Sequence, residues 1–183
     1  MPFAFEELDF PGLIMITPRV FADERGAFLE TFKLSDFAAV GITHPFVQDN
    51  LSRSSRGVIR GLHMQVGEHE QDKLVWVPHG SVFDVVVDLR PDSPTYGRWR
   101  GMQLSDGNLT AVFIPAGFAH GFQALTEDVR FAYKCSAEYA PEAERGIRFD
   151  DPDLAVAWPL SQPIVSQKDR ALPSLREFEE ERS

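Results

Sequence analysis

A succession of short runs, each closed by a cluster of Pro, Gly, Asp, Asn or Ser, leaves this chain little room for anything but β-sheet. The runs span residues 12–17, 27–33, 45–52, 57–64, 73–78, 81–89, 97–104, 110–115, 120–125 and 129–135. Turns such as Pro91-Asp92-Ser93-Pro94 and Ser105-Asp106-Gly107-Asn108 separate them, at the spacing of antiparallel sandwiches and barrels. Helix signals are few. Ser35, Asp36 and Phe37 ahead of a stop at Gly41 predict one short helix, and Ser174 with Glu177 forms a capping box that opens a C-terminal helix.

The run from Val82 to Leu89 says most about how the sheets are used. In an extended strand Phe83, Val85, Val87 and Leu89 share one face, and Val82, Asp84, Val86 and Asp88 share the other. The first face is wholly apolar. The second fits solvent-facing surface, the commoner arrangement, or the polar lining of a closed barrel. A chain of 183 residues can bury a core without disulfides or structural metals, so a single domain over 1–183 is expected. Fifteen Phe and three Trp predict aromatic walls for that core. Prolines gather after Asp151, but Trp158 and its apolar neighbours predict a tail packed on the barrel instead of a second domain.

Composition also removes whole classes of function. No uncharged apolar run approaches bilayer length and no basic stretch precedes an apolar one at the N-terminus, so a soluble cytoplasmic protein without membrane contact is expected. The formal charge of -10 would repel nucleic-acid backbones over most of the surface. A small anionic ligand needs only a local nest of cations, and Arg53, Arg56, Arg60 and Lys73 offer one. The single cysteine, Cys135, permits no internal disulfide and no thiolate metal cluster, and is expected to be a buried, inert thiol.

Four segments could carry chemistry. In GVIRGLHMQ at 57–65, followed by QDKLV at 71–75, the residues Arg60, His63, Gln65 and Lys73 fall on neighbouring strands. Strict alternation would point Arg60 and His63 to opposite sides, so both reach one cavity only if a twist or bulge occurs near Gly61. Taken singly, His63 fits a half-buried strand histidine and Lys73 a surface lysine. In IPAGFAHGF at 114–122, the Pro and Gly before His120, with Gly107 upstream, resemble the second motif of the cupin barrels. The first cupin motif would carry paired histidines, whereas this chain reads His63-Met64-Gln65; His63, His120 and His69 with Glu70 make a poor metal set, and no metal is expected. FAYKCSAEYAP at 131–141 supplies Tyr133 and Tyr139, phenols that hold a proton at neutral pH yet can release it to a carbanion, or else simple wall aromatics. In SQKD at 166–169, Asp169 could orient an imidazole or be an ordinary loop charge.

Together these segments resemble one family, the dTDP-4-dehydrorhamnose 3,5-epimerases, which are cupin-type barrels. The likeness runs in order from DERGAFLETF at 23–32 through FVQDNLSRSSRGVIRGLHMQ at 46–65, QDKLVWVPHGSVFDVVVDLR at 71–90 and FIPAGFAHGF at 113–122. It continues through YKCSAEYAP at 133–141 and DDPDLAVAWP at 150–159 to SQKD at 166–169. The resemblance implies an antiparallel jelly-roll barrel that epimerises C3 and C5 of dTDP-4-dehydro-6-deoxy-D-glucose to give dTDP-4-dehydro-L-rhamnose, without metal or cofactor. It implies His63 as base, Asp169 as its partner and Tyr133 as acid, with Lys73 and Arg60 near the developing oxyanion. Substrate binding carries over to Arg25, Phe28, Glu30, Gln48, Asn50 and Tyr139, and His120 and Asp84 line the cavity. It also implies a homodimer whose N-terminal segment reaches the neighbouring site. Met64 departs from the aromatic residue usual beside the base.

Two other classes compete with that reading. One is a metal-dependent cupin isomerase or dioxygenase, which chelation would silence. The other is a non-catalytic sugar-binding barrel, which would have no use for a base and an acid together. Within the family, inversion of C3 alone or C5 alone is the remaining alternative.

Overall fold

The computed structural model describes residues 2–182. Its strands are β1 (Phe3–Glu7), β2 (Ile14–Pro18), β3 (Phe21–Asp23), β4 (Gly26–Phe28), β5 (Gln48–Ser54), β6 (Val58–Gln65), β7 (Lys73–His79) and β8 (Ser81–Asp88). They continue with β9 (Trp99–Ser105), β10 (Ala111–Ile114), β11 (Phe118–Ala124), β12 (Val129–Cys135), β13 (Glu144–Gly146) and β14 (Ile164–Val165). Three helices are short: α1 (Leu34–Ala38), α2 (Gln167–Arg170) and α3 (Leu175–Arg182). One sheet runs β1-β2-β10-β7-β12-β5 and the other β13-β6-β11-β8-β9, with β14 added to β6; β3 and β4 form a separate hairpin.

The two large sheets face each other. Val75 and Val77 of β7, Val112 of β10 and Phe131 of β12 pack on Val82 and Val86 of β8, Met102 and Leu104 of β9 and Phe122 of β11. Period-two alternation produces this directly, because residues two apart point into the same layer. The expectation of a closed barrel is corrected to two open sheets, since no ladder joins their edge strands among the described residues. Alternation fixes which side chains turn inward, but closure depends on edge strands meeting, and nothing local encodes that.

The polar face of β8 is also corrected from its commoner expectation. Asp84 and Asp88 are fully buried in the interior, not set in solvent. The apolar face, with Val85, Val87 and Leu89, is covered by Leu154 and Phe178 from the tail, which packs on the sheet as the sequence predicts. Tail tryptophan Trp158 meets Phe83 edge-on and donates its indole N–H to the Phe149 carbonyl at 2.7 Å. The outer face of the other sheet is closed by α1, whose Phe37 joins Phe3, Ile16 and Leu74.

Local signals held where they were chemically specific. The capping box is formed: the Ser174 amide donates to Glu177 at 2.7 Å, and the Glu177 amide donates to the Ser174 hydroxyl at 3.3 Å. The run expected at 27–33 keeps only Gly26–Phe28 as strand, because the residues beyond it find no ladder partner and lead into α1. The sequence shows no signal for β1, β3, β13, β14 or α2, the last four being only two to four residues long. No helix among the described residues is long and apolar enough to cross a membrane.

Asp88 organises the turn after β8. Its carboxylate accepts from Arg90 Nε at 2.9 Å, Arg90 Nη2 at 2.7 Å, Ser93 Oγ at 2.5 Å and Thr95 Oγ1 at 2.6 Å. Burial works to raise its pKa, but the hydrogen bonds from Arg90, Ser93 and Thr95 outweigh it and hold the carboxyl at about 2, below the ordinary 3.8. A depressed native pKa stabilises the fold at pH values above the unfolded one, and that stability is lost as pH falls from 3.8 toward about 2. Asp88→Asn removes charge-assisted bonds worth roughly 1.5–3 kcal/mol together. We expect it to lower Tm by several degrees at neutral pH and to flatten this acid segment of the stability curve, as thermal melts across pH would show.

Candidate active site

Strand β6 carries the centre of the site, and a bulge makes it work. In the ladder with β11, His63 pairs with His120 and Arg60 pairs with Phe122, so β6 holds one residue more than β11 between the two pairs. That extra residue resets the alternation near Gly61, as the sequence required, and lets Arg60 and His63 line one cavity. Glycine is needed on both strands here. Gly61 has φ +125, and a Cβ on it would stand 2.5 Å from Gly121 Cα; one on Gly121 would stand 2.6 Å from the Arg60 carbonyl oxygen.

His63 is held by a carboxylate from the far end of the chain. Its Nε2 lies 2.9 Å from Asp169 Oδ1, and Asp169 Oδ2 accepts from the Gly61 amide at 3.3 Å. Asp169 is placed by α2, where its own amide donates to the N-cap hydroxyl of Ser166 at 3.0 Å. Burial would raise the Asp169 carboxyl, but the hydrogen bonds from His63, Gly61 and Ser166 take it below the usual carboxylate range. An ionised Asp169 keeps a proton on His63 Nε2 and leaves the lone pair on Nδ1.

The opposing sheet supplies Tyr133 from β12 and Lys73 from β7 to the same cavity, of about 530 Å³. Burial, seconded by the nearby Cys135 thiol, pushes the Tyr133 phenol above its ordinary value, so it is protonated at neutral pH. Burial lowers the Lys73 ammonium, against the pull of Cys135, Glu144 and Asp84. On the histidine side, His120 Nε2 lies 2.8 Å from Asp84 Oδ1, and its ring stacks on Phe131 with centroids 5.8 Å apart. An imidazole backed by a carboxylate and a protonated phenol thus enter one cavity from two different sheets. Such a site can take a proton on one side of a ligand and return one on the other.

An adjoining lobe of about 280 Å³ shares His63, Lys73 and Tyr133 and adds Gln48, Asn50 and Tyr139. Gln48 donates to Asn50 at 3.0 Å and accepts the Tyr139 amide at 2.8 Å. The Tyr139 hydroxyl and Lys168 both donate to Glu144 Oε2, at 2.5 and 2.6 Å. Glu144, Lys168, Ser166 and Ser52 line the two lobes without having been singled out in the sequence. Lys168 could have been found from its place beside Asp169; Glu144 sits on a three-residue strand with no pattern to betray it.

Other sequence candidates lie elsewhere. Arg25 and Phe28 sit on the exposed β3–β4 hairpin and Glu30 just beyond it, and none of the three lines either lobe; Arg25 is paired with Asp23. The basic nest divides: Arg60 and Lys73 reach the cavity, while Arg53 pairs with Asp128 and Arg56 donates to the Leu125 carbonyl at the surface. His69 stands 3.8 Å from Glu68 and 3.9 Å from Glu142. No three His, Cys, Asp or Glu side chains converge as a metal-ligand set among the described residues. Cys135 is buried, as expected, and accepts a long bond from Asn50.

Comparison with known proteins places this geometry in company. Residues 7–177 match the family model described as dTDP-4-dehydrorhamnose 3,5-epimerase. The dTDP-4-dehydrorhamnose 3,5-epimerase of Methanothermobacter thermautotrophicus is 51% identical over 178 residues, covering 96% of each chain. That of Pseudomonas aeruginosa is 51% identical over 165 residues, covering 89% of this chain and 91% of the relative. The crystal structure of the Legionella pneumophila dTDP-6-deoxy-D-glucose-3,5-epimerase in complex with dTDP-4-keto-L-rhamnose superposes with a TM-score of 0.93 at 46% identity, covering 98% of this chain and 96% of that one.

Gly61→Ala tests the bulge. The new methyl meets backbone, which cannot swing aside as a side chain could, so we expect a lower Tm and a His63 ring no longer registered on Asp169. Imidazole nitrogen shifts in NMR report the second effect directly, and unchanged shifts would show that the bulge tolerates a side chain.

Proposed function

This chain belongs to the dTDP-4-dehydrorhamnose 3,5-epimerase family, and we propose that it inverts C3 and C5 of dTDP-4-dehydro-6-deoxy-D-glucose to give dTDP-4-dehydro-L-rhamnose. One observation carries the reading: a His–Asp pair and a protonated tyrosine from opposing sheets border a single cavity. Both carbons are α to the C4 ketone. His63 removes the proton, and the electron pair of the broken C–H bond moves through the new C=C to the C4 oxygen as an enolate. The Lys73 ammonium and Arg60 guanidinium stabilise that oxygen more than the ketone, which lowers the barrier.

Net inversion then requires a proton from the opposite face. Tyr133 donates it, the ketone re-forms, and the tyrosinate and imidazolium exchange protons with water before the next carbon is processed. The oxidation state of the sugar ends as it began, so the scheme asks for no oxidant, cofactor or metal. Asp169, held below the usual carboxylate range, stays ionised throughout and favours the imidazolium once formed.

Nucleotide binding is assigned to the adjoining lobe, with Gln48 and Asn50 at its wall and the exposed Tyr139 ring free to stack on thymine. His120 completes the polar lining, backed by the buried Asp84. We further assign Arg25, Phe28 and Glu30 to the cavity of a second copy in a homodimer. What supports this is the β3–β4 hairpin, which stands clear of its own cavity with Phe28 66% exposed. The two facing sheets are read as a cupin-type jelly roll, with residues 1–183 acting as one cytoplasmic epimerase domain.

The test is incubation with dTDP-4-dehydro-6-deoxy-D-glucose in deuterated water, followed by NMR of the ring carbons. Deuterium at both C3 and C5 with inversion at both is expected, and inversion at one alone would make this a mono-epimerase. His63→Ala and Asp169→Ala should reduce turnover by roughly 10²–10⁴-fold. Tyr133→Phe should lose inversion more than exchange, and normal inversion in that variant would remove Tyr133 as the acid.

A further inference from the structure

Strand β5 turns a wholly polar row inward. Gln48, Asn50, Ser52 and Ser54 alternate with the exposed Asp49, Leu51 and Arg53, so the edge strand of the tyrosine-bearing sheet presents hydrogen-bonding groups to the interior. Three of the four are engaged. Gln48 and Asn50 bond each other, and Ser54 Oγ accepts from Arg60 Nε at 3.1 Å. Ser52 Oγ is buried and has no partner.

A buried hydroxyl left unpaired costs free energy, so its persistence asks for a ligand that satisfies it. Ser52 lines the catalytic cavity, and in the ladder it stands opposite Phe131, two pairs along from Asn50 and Tyr133 and so on the same face. Across the ladder from it, the Phe131 ring stacks on Phe122 with centroids 4.3 Å apart. A sugar ring seated between His63 and Tyr133 would find aromatic surface on this side and a single hydroxyl within it.

We infer that Ser52 is a sugar-positioning residue whose hydroxyl hydrogen-bonds the C2 hydroxyl of the substrate; the inference rests on the epimerase function proposed above. The ring carries hydroxyls only at C2 and C3. The one at C3 changes sides when C3 inverts, whereas the one at C2 keeps its configuration through both steps. A fixed protein hydroxyl can therefore hold the C2 group throughout, and so limit the sugar's drift while each acidic carbon is presented to His63.

The experiment is a cycle between enzyme and substrate. Wild type and Ser52→Ala are each assayed for kcat/KM with dTDP-4-dehydro-6-deoxy-D-glucose and with its 2-deoxy analogue, and dTDP binding is measured by calorimetry. Ser52→Ala should lose about tenfold on the full substrate, as for one lost hydrogen bond that leaves its partner buried. Wild type should lose a similar factor on the analogue, and the two losses should not multiply. Affinity for dTDP should stay unchanged and Tm should hold or rise, since the hydroxyl removed has no partner within the fold; a merely structural role for Ser52 would predict a lower Tm. Multiplying losses, or a Ser52→Ala kcat/KM within about twofold of wild type, would overturn the assignment. Wild-type turnover of the full substrate in the same assay is the control for the family reading, since its absence would strike at the epimerase function itself.

Discussion

A buried carboxylate joins the end of this chain to its middle. Asp169 reaches the His63 ring with one oxygen and the Gly61 amide with the other, and so fastens α2 to the bulged centre of β6. Each contact depends on the others. The amide is available because the bulge turns it out of the ladder, and the bulge fits because Gly61 and Gly121 lack side chains where two backbones nearly touch. Without that contact the tail would still bury Leu154 and Phe178, but the histidine would lose the charge that fixes its ring.

The two sheets divide the chemistry between them. The sheet of β6, β8 and β11 brings imidazoles backed by carboxylates, His63 with Asp169 and His120 with Asp84. The other brings Lys73, Tyr133 and the polar row of β5. A packed core would normally fill the space between such sheets. Here the apolar contact of Val75, Val82, Val112 and Leu104 closes one end, and polar side chains hold the other open. Burial then tunes these groups in useful directions: the phenol keeps its proton and the ammonium is held less tightly to its own.

Much of this was legible before any coordinates. The capping box of Ser174 and Glu177, the aromatic core, the need for a bulge near Gly61 and the order of the motif segments all come from local chemistry or from continuous likeness to a family. Less legible were features made by distant strands. Alternation left Asp84 and Asp88 either solvent-facing or turned into a cavity, because it cannot say what covers a face. Glu144 belongs to a strand too short for any period, and the unpaired state of Ser52 exists only because three neighbours on β5 found partners and it did not.

The sequence by itself determined that the chain is built of short antiparallel strands, which residues alternate into one layer, and which family's motifs it carries, because these are properties of neighbouring residues and their order. Only the tertiary structure decided that the sheets stay open and that a tail carboxylate meets a central histidine. It also decided that Arg25 and Phe28 stand away from the cavity of their own chain. Those outcomes depend on contacts between segments far apart in the chain, where geometry selects among pairings that local chemistry leaves equal.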